Sequence, residues 1–126
     1  MYTANPYNVY KQNSVNMVSS QQLLLMLLDG AVKYTKIARM AILNKDIPRA
    51  HKELVRVQDI FLELMITMDK NAGYMEDLYN LYDFIKNELA KANLRKDVNI
   101  IDEVLPLIEE IRDMWYEVDK KIKSGK

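Results

Sequence analysis

The chain has 126 residues, of which 49% are hydrophobic and 29% are charged, and its 18 acidic and 18 basic residues cancel. This length suits a single domain that buries about two-thirds of its unfolded surface. Zero net charge argues against nucleic-acid and anionic-membrane partners, which require a surplus of basic residues. Cysteine is absent, which excludes disulfides and thiolate metal sites and fits a reducing compartment.

The first 18 residues are polar and carry three tyrosines and Pro6. They lack the basic flank and apolar stretch of a signal peptide, and no later run approaches the roughly 20 apolar residues of a membrane span. We therefore expect a cytoplasmic protein with an N-terminal arm over residues 1–18, a folded domain over 19–123 and a disordered tail over 124–126. Two interpretations of the arm stay open: its aromatic side chains dock in a groove, or it is disordered.

Apolar periodicity predicts a first helix over residues 20–43, and the serines before it are suitable N-caps. Six apolar residues, 23–28, follow one another without a break, which is more than one helix face can bury. Two adjacent inward stripes account for most of the apolar positions. Three apolar residues are expected on the outer face, beside Asp29, Lys33 and Lys36: Leu25, Val32 and Met40.

Three further helices are predicted over residues 47–68, 74–92 and 98–122. Asp46 and Asp97 are expected to cap the second and fourth helices, and Gly73 suits the turn between the second and the third. Pro106 is expected to kink the fourth helix. Short connections make neighbouring helices antiparallel, so the predicted fold class is all-α, an up-down four-helix bundle with a mobile N-terminal arm.

The sequence offers no constellation of residues for catalysis. His51 is the only histidine, and a single surface histidine is usually just solvated. Bundles that hold paired metals use a Glu-x-x-His motif, which this chain lacks, and its acidic residues are expected at outward positions. We therefore predict a protein that is not an enzyme and has no catalytic residue, metal ligand or cofactor.

Apolar side chains exceed what one buried seam for each helix requires. One explanation is that each helix meets two neighbours and buries a wide face. The other is that grooves between helices receive an amphipathic helix or an extended segment of another protein. The residues concerned on the later helices are Val55, Leu62, Met65, Ile66, Tyr74, Tyr79 and Phe84.

Several segments together resemble the FliS family of flagellar secretion chaperones, from about Tyr7 to Trp115. The N-terminal part comprises the Asn-Pro-Tyr-x-x-Tyr arm, then VSSQ at 18–21 and LLMLLDGAV at 24–32. The later part comprises QDI at 58–60, LYNLYDFIKNELAKANLRKD at 78–97, DEV at 102–104 and IRDMW at 111–115. The chain departs from the family pattern at Gln21, where a proline is usual, at Leu28, where a tyrosine is usual, and at Gly73, where two glycines are common.

The resemblance implies a cytoplasmic chaperone that binds the C-terminal region of flagellin, prevents its premature polymerisation and delivers it to the flagellar type III export gate. We expect a monomer that forms a one-to-one complex with flagellin, without nucleic acid or membrane insertion. On helical geometry, the expected partner surface comprises Leu62, Met65, Ile66, Tyr74, Tyr79 and Tyr82, and Tyr7 and Tyr10 are the expected anchors of the arm. The alternative is a structural helical-bundle module that self-associates through the same apolar surface.

Overall fold

The computed structural model describes residues 19–68 and 75–125, and these residues form four α-helices. Their bounds are α1 Ser20–Leu43, α2 Ile47–Thr67, α3 Met75–Arg95 and α4 Val98–Ser124. The all-α prediction is confirmed, and α1 has the predicted bounds. α3 continues three residues beyond its predicted end at Ala92, and α4 continues through Pro106 without a break in its helical residues.

Local capping explains where three of the helices begin. Ser19 and Gln22 form a reciprocal capping box at the start of α1: the Ser19 hydroxyl accepts from the Gln22 N–H at 3.0 Å. Asp46 accepts from the Arg49 N–H, and Asp97 accepts from the Asn99 N–H, as predicted for both aspartates. Each carboxylate satisfies a backbone donor that the first turn of a helix leaves unpaired.

The helices are arranged in a ring, in which α1 contacts α2 and α4, and α3 contacts the same two neighbours. Connections of three and two residues join α1 to α2 and α3 to α4, and they enforce antiparallel packing. Phe61 of α2 and Tyr82 of α3 meet edge to face at the centre, with ring centroids 5.8 Å apart. The largest fully buried apolar side chains come from all four helices: Tyr82, Phe61, Leu28, Leu54, Ile85, Leu89, Ile101 and Ile108.

The predicted outer face of α1 is partly wrong, because Leu25 and Val32 are buried, with exposed fractions of 6% and 4%. Three polar contacts join side chains of α1 to side chains of α4 on this face. Arg39 pairs with Asp102 at 2.6 Å, Lys36 pairs with Glu109 at 3.6 Å, and Asp29 accepts a hydrogen bond from Tyr116. Asp29 and Lys36, two of the three polar residues that suggested a solvated face, are therefore at the rim of the α1–α4 interface. Only Met40 of the three apolar residues is exposed.

The expectation that the acidic residues point outwards also fails at two positions. Glu53 of α2 is 1% exposed and Asp119 of α4 is 9% exposed. Each has a basic partner on its own helix: Arg49 and Arg56 contact Glu53, and Lys123 lies 3.1 Å from Asp119. Burial of these carboxylates is possible because the paired cations offset the loss of hydration.

Leu25→Ala should lower the free energy of unfolding by about 2–5 kcal/mol, the usual cost of truncating a buried leucine. Met40→Ala should change it by less than about 0.5 kcal/mol, because Met40 is exposed. Urea denaturation followed by circular dichroism measures both values. Equal effects of the two substitutions would show that Leu25 is not buried.

Candidate partner-binding surface

Exposed apolar side chains form a stripe along α2. Leu62 is 46% exposed and Ile66 is 67% exposed, and Val55 lies two turns before Leu62 on the same side of the helix. His51, four residues before Val55, contacts Asn93 of α3 with its ring nitrogen 3.0 Å from the amide nitrogen. The stripe therefore follows the edge between α2 and α3. We call Val55, Leu62 and Ile66 the α2 stripe.

The structure distributes the predicted partner residues over different environments. Leu62 and Ile66 are exposed, and Tyr79 of α3 is half-buried against the core. Met65 and Tyr82 are instead buried, with exposed fractions of 6% and 1%. The assumption that these two side chains are accessible is thus corrected, because both pack in the core that includes Phe61. Three predicted residues lie outside the described ranges: Tyr7, Tyr10 and Tyr74.

A cavity of about 370 Å³ opens at the end of the bundle where α1 begins and α2 ends. The amide nitrogen Nε2 of Gln21 is buried at its wall and has no hydrogen-bond partner among the described residues. An unpaired buried donor is costly, so this amide is suited to a carbonyl acceptor. The apolar lining comes from all four helices: Leu23, Leu24, Leu27, Leu64, Met68, Met75, Tyr82 and Trp115.

A second apolar depression, of about 420 Å³, lies between α3 and α4. Its lining is aliphatic and aromatic except for the carboxylate of Asp77, and Phe84 of the same helix is half-exposed. The sequence did not predict that Met114 and Val118 line a surface depression. The position of Phe84 outside the core stripe of α3 was a signal that the outer face of this helix is apolar. The apolar lining residues are Leu78, Leu81, Met114, Trp115 and Val118.

A hydrogen bond between two aromatic side chains joins α3 to α4 beside both depressions. The Trp115 Nε1–H donates to the Tyr82 hydroxyl oxygen at 2.9 Å. Burial raises the pKa of Tyr82 to about 12, and the bond from Trp115 lowers it only in part. Tyr82 therefore remains neutral at every physiological pH and acts as a fixed acceptor.

The α2 stripe, the cavity at the bundle end and the depression between α3 and α4 offer apolar contact area and contain few charged groups. Within residues 19–68 and 75–125, no three carboxylate or imidazole side chains are grouped so that they could hold a metal ion. None of the helices in the described ranges combines the length and apolar character that a bilayer crossing requires. Large apolar side chains beside grooves between helices are the contacts that protein segments use. Fold and surface together define a helical-bundle protein of the class that binds other polypeptides.

Comparison with known proteins agrees with this class. The family model described as "Flagellar protein FliS" matches residues 3–122. The chain is 35% identical to the flagellar secretion chaperone FliS of Bacillus subtilis, over 99% of this chain and 96% of that protein. It is 31% identical to FliS of Salmonella typhimurium, over 96% and 95% of the two chains. A solved structure titled "Crystal structure of flagellar chaperone from bacteria" has the same fold, with a TM-score of 0.75 at 14% identity, over 92% of this chain and 96% of that one.

The chain therefore belongs to the FliS family of flagellar secretion chaperones. The resemblance found in the sequence is confirmed, and so is the helical bundle that it implied.

Stability at alkaline pH should fall because of Tyr82. The pKa of Tyr82 is about 12 in the folded protein, whereas an unfolded tyrosine ionises near pH 10. The unfolded state therefore binds fewer protons than the folded state between about pH 10 and pH 12, and the free energy of unfolding declines as the pH rises through this window.

Guanidinium denaturation of the wild type and of Tyr82→Phe at a series of pH values tests this effect. The wild type should lose on the order of 2 kcal/mol more than the variant between about pH 9 and pH 12. Parallel stability curves for the two proteins would contradict the assignment.

Proposed function

We propose that this protein binds the C-terminal region of flagellin in the bacterial cytosol, prevents its premature polymerisation and delivers it to the flagellar type III export apparatus. The observation that carries the proposal is an exposed apolar stripe on a chain that belongs to the FliS family. The complex is expected to contain one chaperone and one flagellin, and the export gate is the second expected partner.

The physical basis is the masking of a surface that would otherwise self-associate. A segment that forms the core of a filament carries apolar faces, and it remains disordered until it can bury them. The α2 stripe, the half-buried Tyr79 of α3 and the two apolar depressions supply complementary apolar area. Burial contributes about 25 cal/mol for each Å² of apolar surface that leaves water, so several such contacts along one segment add up to a stable complex.

Only some of the partner residues predicted from the sequence are accessible to a partner. Leu62, Ile66 and Tyr79 form the accessible part of the proposed flagellin surface. Met65 and Tyr82 support this surface from the core, and Tyr82 also lines the cavity at the bundle end. Tyr7, Tyr10 and Tyr74 remain proposed contacts, the first two as anchors of the N-terminal arm.

Leu62→Asp combined with Ile66→Asp should weaken binding of a flagellin C-terminal peptide at least about tenfold, because charge on the stripe must be desolvated on binding. Isothermal titration calorimetry measures the affinity, and far-ultraviolet circular dichroism checks that the helices persist. The matched control is Met40→Asp with Leu94→Asp, which adds the same charge at two other exposed apolar positions. Unchanged affinity of the stripe variant, or an equal loss in the control, would refute this surface.

Self-association through the apolar surface is the competing function. A pull-down with full-length and tail-truncated flagellin, followed by analytical ultracentrifugation, separates the two. The chaperone proposal requires that the protein captures full-length flagellin but not tail-truncated flagellin. It also requires that the complex contains one copy of each protein. A tight homodimer that does not bind flagellin would refute the chaperone proposal and support the structural module.

A further inference from the structure

A buried carboxylate holds two arginines in place at the surface of α2. Glu53 is 1% exposed, and each of its oxygens accepts from a different guanidinium. Arg49 Nε lies 2.6 Å from one oxygen, and Arg56 Nη1 lies 3.1 Å from the other. Burial alone would raise the pKa of Glu53, but the hydrogen bonds and charges of the two arginines outweigh it and hold the pKa below its ordinary value. The carboxylate therefore stays ionised and restrains both side chains.

Both arginines retain donors that face the solvent. Their side chains are 50% and 48% exposed. A guanidinium carries five N–H donors, and the described contacts with Glu53 use one nitrogen of each group. The remaining donors form planar forks that match the two oxygens of a carboxylate. Because Glu53 has already ordered these side chains, a second carboxylate would bind with less loss of conformational entropy.

An aromatic ring on α1 completes the surface. The guanidinium carbon of Arg56 lies 4.5 Å from the centroid of Tyr34, and the Lys33 ammonium lies 5.8 Å from the same centroid. Ile37 follows Tyr34 by about one turn and is half-buried. Two cations thus lie against the Tyr34 ring, and Glu53 links the second of them, Arg56, to Arg49. We call Lys33, Tyr34, Arg49 and Arg56 the cationic face.

Among the described residues, no carboxylate other than Glu53 pairs with a cation of this face. Asp46 caps α2 by accepting from the Arg49 backbone N–H at 3.2 Å, and Lys45 precedes it in the sequence. Asp59 and Glu63 lie about one and two turns beyond Arg56, towards the end of α2. Glu53 balances only one of the three cations.

We propose that the cationic face is a docking site for an acidic segment of a partner protein. Carboxylates of that segment bind the exposed forks of Arg49 and Arg56, and an apolar residue packs against Tyr34 and Ile37. A peptide is favoured over a membrane because two restrained forks suit discrete carboxylates, whereas anionic lipid surfaces are bound by larger basic clusters.

This site is distinct from the proposed flagellin surface and does not depend on it. Arg56 and Leu62 are six residues apart, so their side chains leave α2 in directions that differ by about 120°. An acidic partner and an apolar cargo can therefore occupy α2 together.

The probe for the test is a fluorescein-labelled helical peptide of alternating Glu and Leu pairs, and its control is the same peptide with every Glu replaced by Gln. Fluorescence anisotropy at low ionic strength should show binding of the acidic peptide only. The triple variant Arg49→Gln, Glu53→Gln and Arg56→Gln removes the forks without leaving a buried unpaired carboxylate, and should bind at least about tenfold more weakly. Lys121→Gln makes the same change in net charge on an exposed part of α4 and should bind normally.

A further variant separates charge from geometry. Arg49→Lys with Arg56→Lys keeps both charges but removes the planar forks, and it should bind severalfold more weakly than the wild type. The proposal is overturned if the peptide does not bind, if the Gln peptide binds equally well, or if Lys121→Gln weakens binding as much as the triple variant does.

Two further measurements cover folding and the nature of the ligand. If the triple variant does not fold, amide chemical shifts of the wild type should change around Tyr34, Arg49 and Arg56 on peptide addition, and changes confined to another face refute the site. Co-sedimentation with vesicles of phosphatidylcholine and phosphatidylserine distinguishes a lipid from a peptide ligand. Vesicle binding that is lost in the triple variant, without peptide binding, would reassign the cationic face to membranes.

Discussion

The ring arrangement, in which every helix packs against two others, is the constraint on which the rest of the structure depends. Each helix must bury a face wide enough for two neighbours, which is more than the single seam of a two-stranded coiled coil. The run of six apolar residues at the start of α1 satisfies this demand, because Leu23, Leu25 and Leu28 are buried and Leu24 and Leu27 line the cavity at the bundle end. A stretch that looks too apolar for one helix is thus divided between buried positions and the lining of a cavity.

Helix existence and capping could be predicted from the sequence because they depend on local chemistry. Ser19, Asp46 and Asp97 accept backbone N–H groups a few residues away, and no distant contact is needed for that. The burial of Leu25 could not be predicted in this way. Lys36 and Asp29 beside it look solvated in the sequence, and only the position of α4 shows that they bridge to Glu109 and Tyr116. A polar side chain does not reveal whether its partner is water or another helix.

The candidate partner surface shows the same limit of prediction from sequence, here at the level of single residues. Met65 and Ile66 are adjacent in the sequence and similar in hydrophobicity, but one is 6% and the other 67% exposed. One residue corresponds to a rotation of about 100° around a helix, so a small error in the assumed orientation of α2 exchanges a core residue for a surface residue. Glu53 is a further example: its burial is tolerated because two arginines of the same helix reach it, and the i+4 and i+3 spacings permit but do not require this.

Three different sets of side chains lie around the circumference of α2. Its core side carries Leu54, Val57 and Phe61, its α3 edge carries the α2 stripe, and its α1 edge carries the two arginines. The apolar stripe suits a segment whose own apolar faces need covering, since burial is not directional. The arginines suit a partner recognised by the geometry of its carboxylates, and such recognition weakens as salt screens the charges. Under the two proposals, one helix holds a cargo by apolar burial while it presents a salt-sensitive site to a second protein, so that the two associations respond to different solution conditions.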